Sequence, residues 1–149
     1  MIQRIEASNF KCFKDISLEM SNLNLLSGIN SMGKSTIIQM LLLLRQSYEQ
    51  NALEKGIYLN GKYTNLGVGK DVLYTEAEEN RIKMKISDES TMLSAEYDYN
   101  GMADFLKLLE NIDINMVKDM NLFGSGFNYI AADRLGPQRS YEKSYYEVW

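Results

Sequence analysis

Nine residues, GINSMGKST from Gly28 to Thr36, hold the densest chemistry in the chain. Gly28, Gly33, Lys34 and Ser35 satisfy the pattern G-x-x-x-x-G-K-[ST] in full. The pattern has a physical cause: glycines let the backbone curl until successive N–H groups face inward on phosphate oxygens, at the positive end of the helix that follows. Asn30 and Ser31 belong to the curl, Lys34 reaches the terminal phosphates, and the Ser35 hydroxyl is the ligand for a Mg²⁺ ion bound with them. Thr36 adds a hydroxyl near the α-phosphate. A chain of this length shows such a match by chance roughly 0.5% of the time.

A phosphate cradle works only where a strand delivers the chain to it and a helix leaves it. The apolar NLNLLS precedes the loop and reads as that strand. KSTIIQMLLLLRQSYEQ follows, made of helix-compatible residues and apolar on every side of its centre except at Gln39, so this helix must be enclosed by other elements. Upstream, MIQRIEA and DISLEM read as strands, the second from the alternation of Ile16, Leu18 and Met20, with SNFKCFK as their connection.

Downstream the signal changes. Asn60-Gly61 is a tight-turn dipeptide, and RIKMKIS alternates Ile82, Met84 and Ile86 with charges. MLSAEYDYN alternates through Leu93, Ala95, Tyr97 and Tyr99, which predicts a hairpin across DEST. Met102, Phe105, Leu106, Leu109 and Ile112 recur at helical spacing and predict an amphipathic helix, and FNYIAA predicts a further strand. The expected organisation is a phosphate-loop core over 1–50, an antiparallel β layer over 56–101, and a helix and strand over 102–149. The expected fold class is α/β, a phosphate-loop NTPase lobe with an added antiparallel β layer, expected to be incomplete.

Composition narrows the chemistry. The 149 residues include no histidine, which removes the commonest general base and metal ligand and argues against a catalytic triad or a zinc site. Cys12 is the single cysteine, so no internal disulfide forms. The start lacks a secretory apolar run, and Ile37 to Leu44 is too short to span a bilayer; a cytoplasmic protein without a membrane partner is expected. The net charge of −4 does not support unaided gripping of nucleic acid. TEAEEN, Thr75 to Asn80, reads as a solvated loop.

Two nucleotide-using classes fit poorly. DRLG at Asp133 to Gly136 meets the short D-x-x-G pattern of GTPases, but the guanine-reading N-K-x-D is absent. A small-metabolite kinase needs a lid rich in arginine, whereas Arg4, Arg45, Arg81, Arg134 and Arg139 are scattered.

The stretch IEASNFKCFKDISLEMSNLNLLSGINSMGKSTIIQMLLLLRQS resembles the opening of ABC-type ATPases of the SMC, RecF and OLD (overcoming lysogenization defect) group, where a strand, an NF-basic turn and a second strand precede G-x-N-x-x-G-K-S. It is most similar to bacterial AAA-family ATPases of phage-defence loci, which YLNGKYTNLGVGKDVLY and YIAADRLGPQRSY also resemble. The resemblance implies ATP and Mg²⁺ as cofactors, phosphate contacts from Asn30, Gly33, Lys34, Ser35 and Thr36, and the turn residues Asn9 and Lys11 near the nucleotide. Met32 stands where the family usually has a small residue.

Hydrolysis in that group also uses a Walker B strand ending in Asp-Glu and a signature sequence from a second subunit, and neither is evident here. For FNYIAAD three readings stay open: a Q-loop-like strand with Gln138 nearby, a structural strand and turn, or a degenerate Walker B ending at Asp133-Arg134. The implied partners are the remainder of the ATPase or a complementary subunit, a second copy through head-to-head association, and DNA or a nuclease. A non-hydrolysing, nucleotide-gated interaction module is the alternative. Tyr141, Tyr145, Tyr146 and Trp149 read as packing against further elements, or as a base-stacking platform.

Overall fold

The computed structural model describes residues 1–29 and 33–131. Within them the chain is mixed α/β with antiparallel sheets. Strands β1 (Arg4–Phe10) and β2 (Phe13–Glu19) are joined by a tight turn at Lys11 and Cys12. The connection is shorter than expected because Phe10 and Phe13 pair across it and Phe10 is buried. Helix α1 (Lys34–Glu49) follows the glycine loop. Then come β3 (Gly56–Tyr58), a single 3-10 turn at Gly69–Asp71, β4 (Arg81–Ser87), β5 (Met92–Asp98), β6 (Phe105–Lys107) and the short α2 (Ile114–Val117).

Four strands form one antiparallel sheet in the order β2-β1-β4-β5. Its register aligns Leu18, Ile5, Ile86 and Leu93 in one cross-strand row, and Ile16, Ala7, Met84 and Ala95 in the next. Side chains alternate across the pleat, so these rows face one side and pack with Ile37, Met40, Leu43 and Leu44 of α1 in a shared core. The opposite side is charged and internally paired: Arg4 with Glu19, Lys85 with Glu6 and Arg81 with Glu96. The expected β4–β5 hairpin is present, but its sheet includes β1 and β2, so the antiparallel layer continues from the first strands of the chain.

Helix α1 is enclosed along most of its length, and the buried polar residues of its C-terminal half, Gln46 and Ser47, are satisfied by β3 and the turn after it. Gln46 donates to the Tyr58 carbonyl at 2.8 Å and accepts from the Thr64 N–H at 3.2 Å, while the Ser47 hydroxyl accepts from the Tyr58 N–H at 2.9 Å. These bonds fix the helix axis and with it the position of Lys34 at its start.

Three local expectations are corrected. Residues 102–112 form no helix; they form β6, paired with β3 through Ile57 and Leu106. The alternation of buried Leu106 and Leu108 prevails over the helical stripe, which leaves Met102 and Leu109 exposed. Residues 22–29 form no strand, because among the described residues they have no neighbour to pair with. Residues 127–131 are likewise not strand, although their chain lies against α1. No helix among the described residues is long and apolar enough to cross a membrane.

Candidate functional site

The glycine loop ends at Gly33, which has φ +87° and lies at the N-terminal cap of α1. That backbone conformation favours glycine, and the space demands it as well: a Cβ here would run into the Phe13 ring and the Cys12 sulfur. The β1–β2 turn therefore presses directly on the glycine loop. The Cys12 Sγ lies 3.7 Å from the Thr36 hydroxyl, and the Lys11 ammonium donates to Gln39 at 3.0 Å. Lys11 itself has φ +52°.

At the start of α1 the Lys34 ammonium folds back across the loop and donates to the carbonyls of Gly28 and Ile29, each at 2.7 Å. The Thr36 N–H bonds the Gly33 carbonyl at 3.0 Å. The N–H groups of Gly33, Lys34 and Ser35 find no backbone acceptor among the described residues, as expected of the first turn of a helix. Buried Thr36 and exposed Ser35 flank them.

These groups open on a cavity of about 680 Å³ lined by Lys11, Cys12, Gly33, Lys34, Ser35 and Thr36 on one side, with Lys70, Asp71, Leu73 and Thr75 opposite. Its three lysines face one carboxylate, so it suits a polyanion. A donor set of N–H groups without backbone acceptors among the described residues, an ammonium and two hydroxyls fits a triphosphate with Mg²⁺. Gly33, Lys34 and Ser35 would hold the phosphates, and the Ser35 hydroxyl the ion. When bound, Mg²⁺ supplies charge neutralisation between phosphate oxygens. Asp71 is the single carboxylate in the described wall of this cavity, and no cluster of His, Cys, Asp and Glu able to hold a metal occurs among the described residues.

The structure brings Gly33, Lys34, Ser35, Thr36 and Lys11 together around this cavity, with Gly28 tied to it through Lys34. It does not bring Asn9 there. Asn9 has φ +55°, its amide donates to the Arg81 carbonyl at 3.1 Å, and it lines a separate depression with Lys14 and Glu78. Asn30, Ser31 and Met32 lie outside the described residues, as do Asp133, Arg134, Gln138 and the cluster Tyr141, Tyr145, Tyr146 and Trp149.

Sequence spacing gave no notice of the opposite wall. Residues 69–75 reach the cavity through long-range backbone bonds, Lys11 N–H to the Val72 carbonyl at 2.7 Å and Tyr74 N–H to the Asn9 carbonyl at 3.1 Å. The one local cue was the glycine cluster of LGVGKD, which signals a tight turn but not its neighbour.

A second cavity shares Ser35 and Gln39 and is completed by Ile38, Leu42, Thr64 and Tyr129 to Ala131. Arg45 anchors the chain that leads into it. Its guanidinium donates to the carbonyls of Leu122 and Gly124, each at 2.9 Å, and to Glu49 at 2.8 Å, and sits 4.9 Å from the centre of the Phe127 ring. Desolvation pushes the Glu49 carboxyl up, but hydrogen bonds from Tyr63 and Arg45 outweigh it, so the group lies below the usual carboxylate range.

A family model described as an AAA ATPase domain matches residues 1–137. A search of curated proteins gave no match.

Proposed function

Because the chain belongs to the AAA ATPase domain family, we propose that the glycine loop is a Walker A phosphate cradle and that the chain is an ATP·Mg²⁺-binding lobe of an SMC/RecF/OLD-like ATPase. The observation that carries this reading is the junction of Gly33, Lys34, Ser35 and Thr36 at the start of α1, opening on a cavity with three lysines. In it Gly33, Lys34 and Ser35 hold the phosphates and Ser35 the ion, while Lys34 exchanges the Gly28 and Ile29 carbonyls for phosphate oxygens. Asn30 and Ser31 are assigned phosphate contacts from their place in the sequence motif alone.

Hydrolysis in this reading uses carboxylates from elements outside the described residues. Support comes from the apolar segment that precedes the loop, where Leu23 and Leu25 are 87% and 89% exposed. Among the described residues, backbone 23–29 makes no hydrogen bond to other backbone; side chains reach only the carbonyls of Leu23, Gly28 and Ile29. An exposed apolar segment without backbone partners is a template for strand addition. We assign this edge to strands of the remainder of the ATPase or of a complementary subunit, with head-to-head association of two lobes driven by bound ATP. The resemblance of residues 5–47 to the SMC, RecF and OLD group supports DNA-linked or anti-phage work for the whole assembly.

Calorimetric titration of ATP with Mg²⁺ into the chain tests the reading. The unaltered chain should bind, and Lys34→Ala should abolish binding while leaving the circular dichroism spectrum intact. Equal affinity in both would overturn it.

A further inference from the structure

The phosphate end accounts for only part of the cavity, and its far wall has the chemistry of a nucleoside site. Leu73 is the apolar member of that wall, half-buried and bridged to Phe10. Beside it stand Asp71, Lys70 and the Thr75 hydroxyl, all exposed. Asp71 uses Oδ2 to accept the Val68 N–H at 2.9 Å, which fixes the carboxylate in place, and its other oxygen has no hydrogen-bond partner among the described residues. The β1–β2 turn lies between this wall and the glycine loop, touching Gly33 and Thr36 on one side and bonded through Lys11 to Val72 on the other, with Asn9 at the end of β1 bonded to Tyr74.

We propose that residues 70–75 are the nucleoside-reading wall of the phosphate cavity: Leu73 seats the base and the free oxygen of Asp71 accepts a hydrogen bond from a ribose hydroxyl. The inference rests on the phosphate-cradle reading and adds the part of the ligand that the cradle does not read. Three features support it. The cavity that holds Gly33–Thr36 and the Lys11–Cys12 turn also holds residues 70–75, so a ligand with phosphates on Gly33–Thr36 that fills it meets one apolar side chain flanked by hydrogen-bonding groups. That is the arrangement a base and ribose require, whereas further phosphates would meet the like charge of Asp71. The wall is also pre-formed: Gly69 N–H bonds the Ala103 carbonyl at 2.8 Å and Lys70 N–H the Gly101 carbonyl at 3.1 Å, so little ordering opposes binding. Carboxylates serve this purpose towards ribose diols in other nucleotide sites.

The test compares ATP, 2′,3′-dideoxy-ATP and inorganic tripolyphosphate, each with Mg²⁺, on the full chain by calorimetry. ATP should bind more tightly than either competitor. Asp71→Asn should weaken ATP by about fivefold to tenfold, the loss of one charge-assisted hydrogen bond, and leave dideoxy-ATP and tripolyphosphate unchanged. Leu73→Ala should weaken both nucleotides and leave tripolyphosphate unchanged. Leu73 also touches the core, so the exposed Asp71 variant decides the matter if Leu73→Ala unfolds. Binding that Lys34→Ala abolishes, but whose preference for ATP is unmoved by Asp71→Asn, overturns this inference alone. Absence of binding by the unaltered chain overturns the cradle and this wall together.

Discussion

Replacing Gly33 by alanine probes the joint on which the site is built. Two penalties act at this position. The backbone has φ +87°, a left-handed conformation that costs a residue with a Cβ about 1–2 kcal/mol. The new methyl also meets the Phe13 ring and the Cys12 sulfur, and such overpacking typically costs about 1–3 kcal/mol. Together they amount to roughly 2–5 kcal/mol. Gly28→Ala is the control, because Gly28 has φ +145° and a Cβ there meets nothing within 4 Å, so only backbone strain acts. In urea unfolding followed by circular dichroism, Gly33→Ala should have the lower midpoint at unchanged slope, with a stability deficit relative to Gly28→Ala of about 1–3 kcal/mol. Equal midpoints for the two variants would refute the close packing of the β1–β2 turn on the glycine loop.

Arg45→Ala should release the chain that follows β6. It removes the guanidinium from the Leu122 and Gly124 carbonyls and from Glu49, which keeps only Tyr63 and Lys62, a loss of about 2–3 kcal/mol, seen as faster proteolysis between 113 and 131 while amides of the four-stranded sheet stay protected. Tyr97→Phe should be neutral or stabilising by up to about 1 kcal/mol in the same urea assay, because the buried Tyr97 hydroxyl has no partner to lose. Acid should loosen the fold through Glu6 and Glu49. Lys85 foremost lowers the Glu6 carboxyl, and Tyr63 and Arg45 lower that of Glu49 against desolvation. Their stabilisation is fully present above about pH 4.3, the ordinary glutamate value, and disappears as pH falls through the lowered folded values. Thermal midpoints recorded across that range should fall, and the fall should be shallower in Glu49→Gln.

What the sequence disclosed follows from how local each signal is. The alternation of Ile82, Met84 and Ile86 against Leu93, Ala95 and Tyr97 needed only a period of two to reveal the hairpin, and α1 was evident in the run from Lys34 to Glu49. The stripe from Met102 to Ile112 misled because its member Leu106 also alternates with Leu108 at the strand period, and the pairing of Leu106 with Ile57 across a long stretch of chain decided between them. NLNLLS reads as a strand by composition, yet a strand needs neighbours, and the segment has none among the described residues. At the candidate site, the grouping of Gly33, Lys34, Ser35 and Thr36 on one cavity was legible because the four are contiguous. The placing of 70–75 on the same cavity was not, since it depends on the Lys11–Val72 and Asn9–Tyr74 backbone bonds, which no spacing encodes. The family resemblance implies a ligand role for Asn9, whereas its amide is engaged by the Arg81 carbonyl.

The most direct test of the central claim is an amide ¹H–¹⁵N spectrum of the chain recorded while ATP and Mg²⁺ are added. If residues 28–36 enclose the triphosphate, the amide signals of Gly33, Lys34, Ser35 and Thr36 shift most, in proportion to occupancy, and stay still in Lys34→Ala. Shifts confined to other parts of the chain, or unchanged by that substitution, would contradict it.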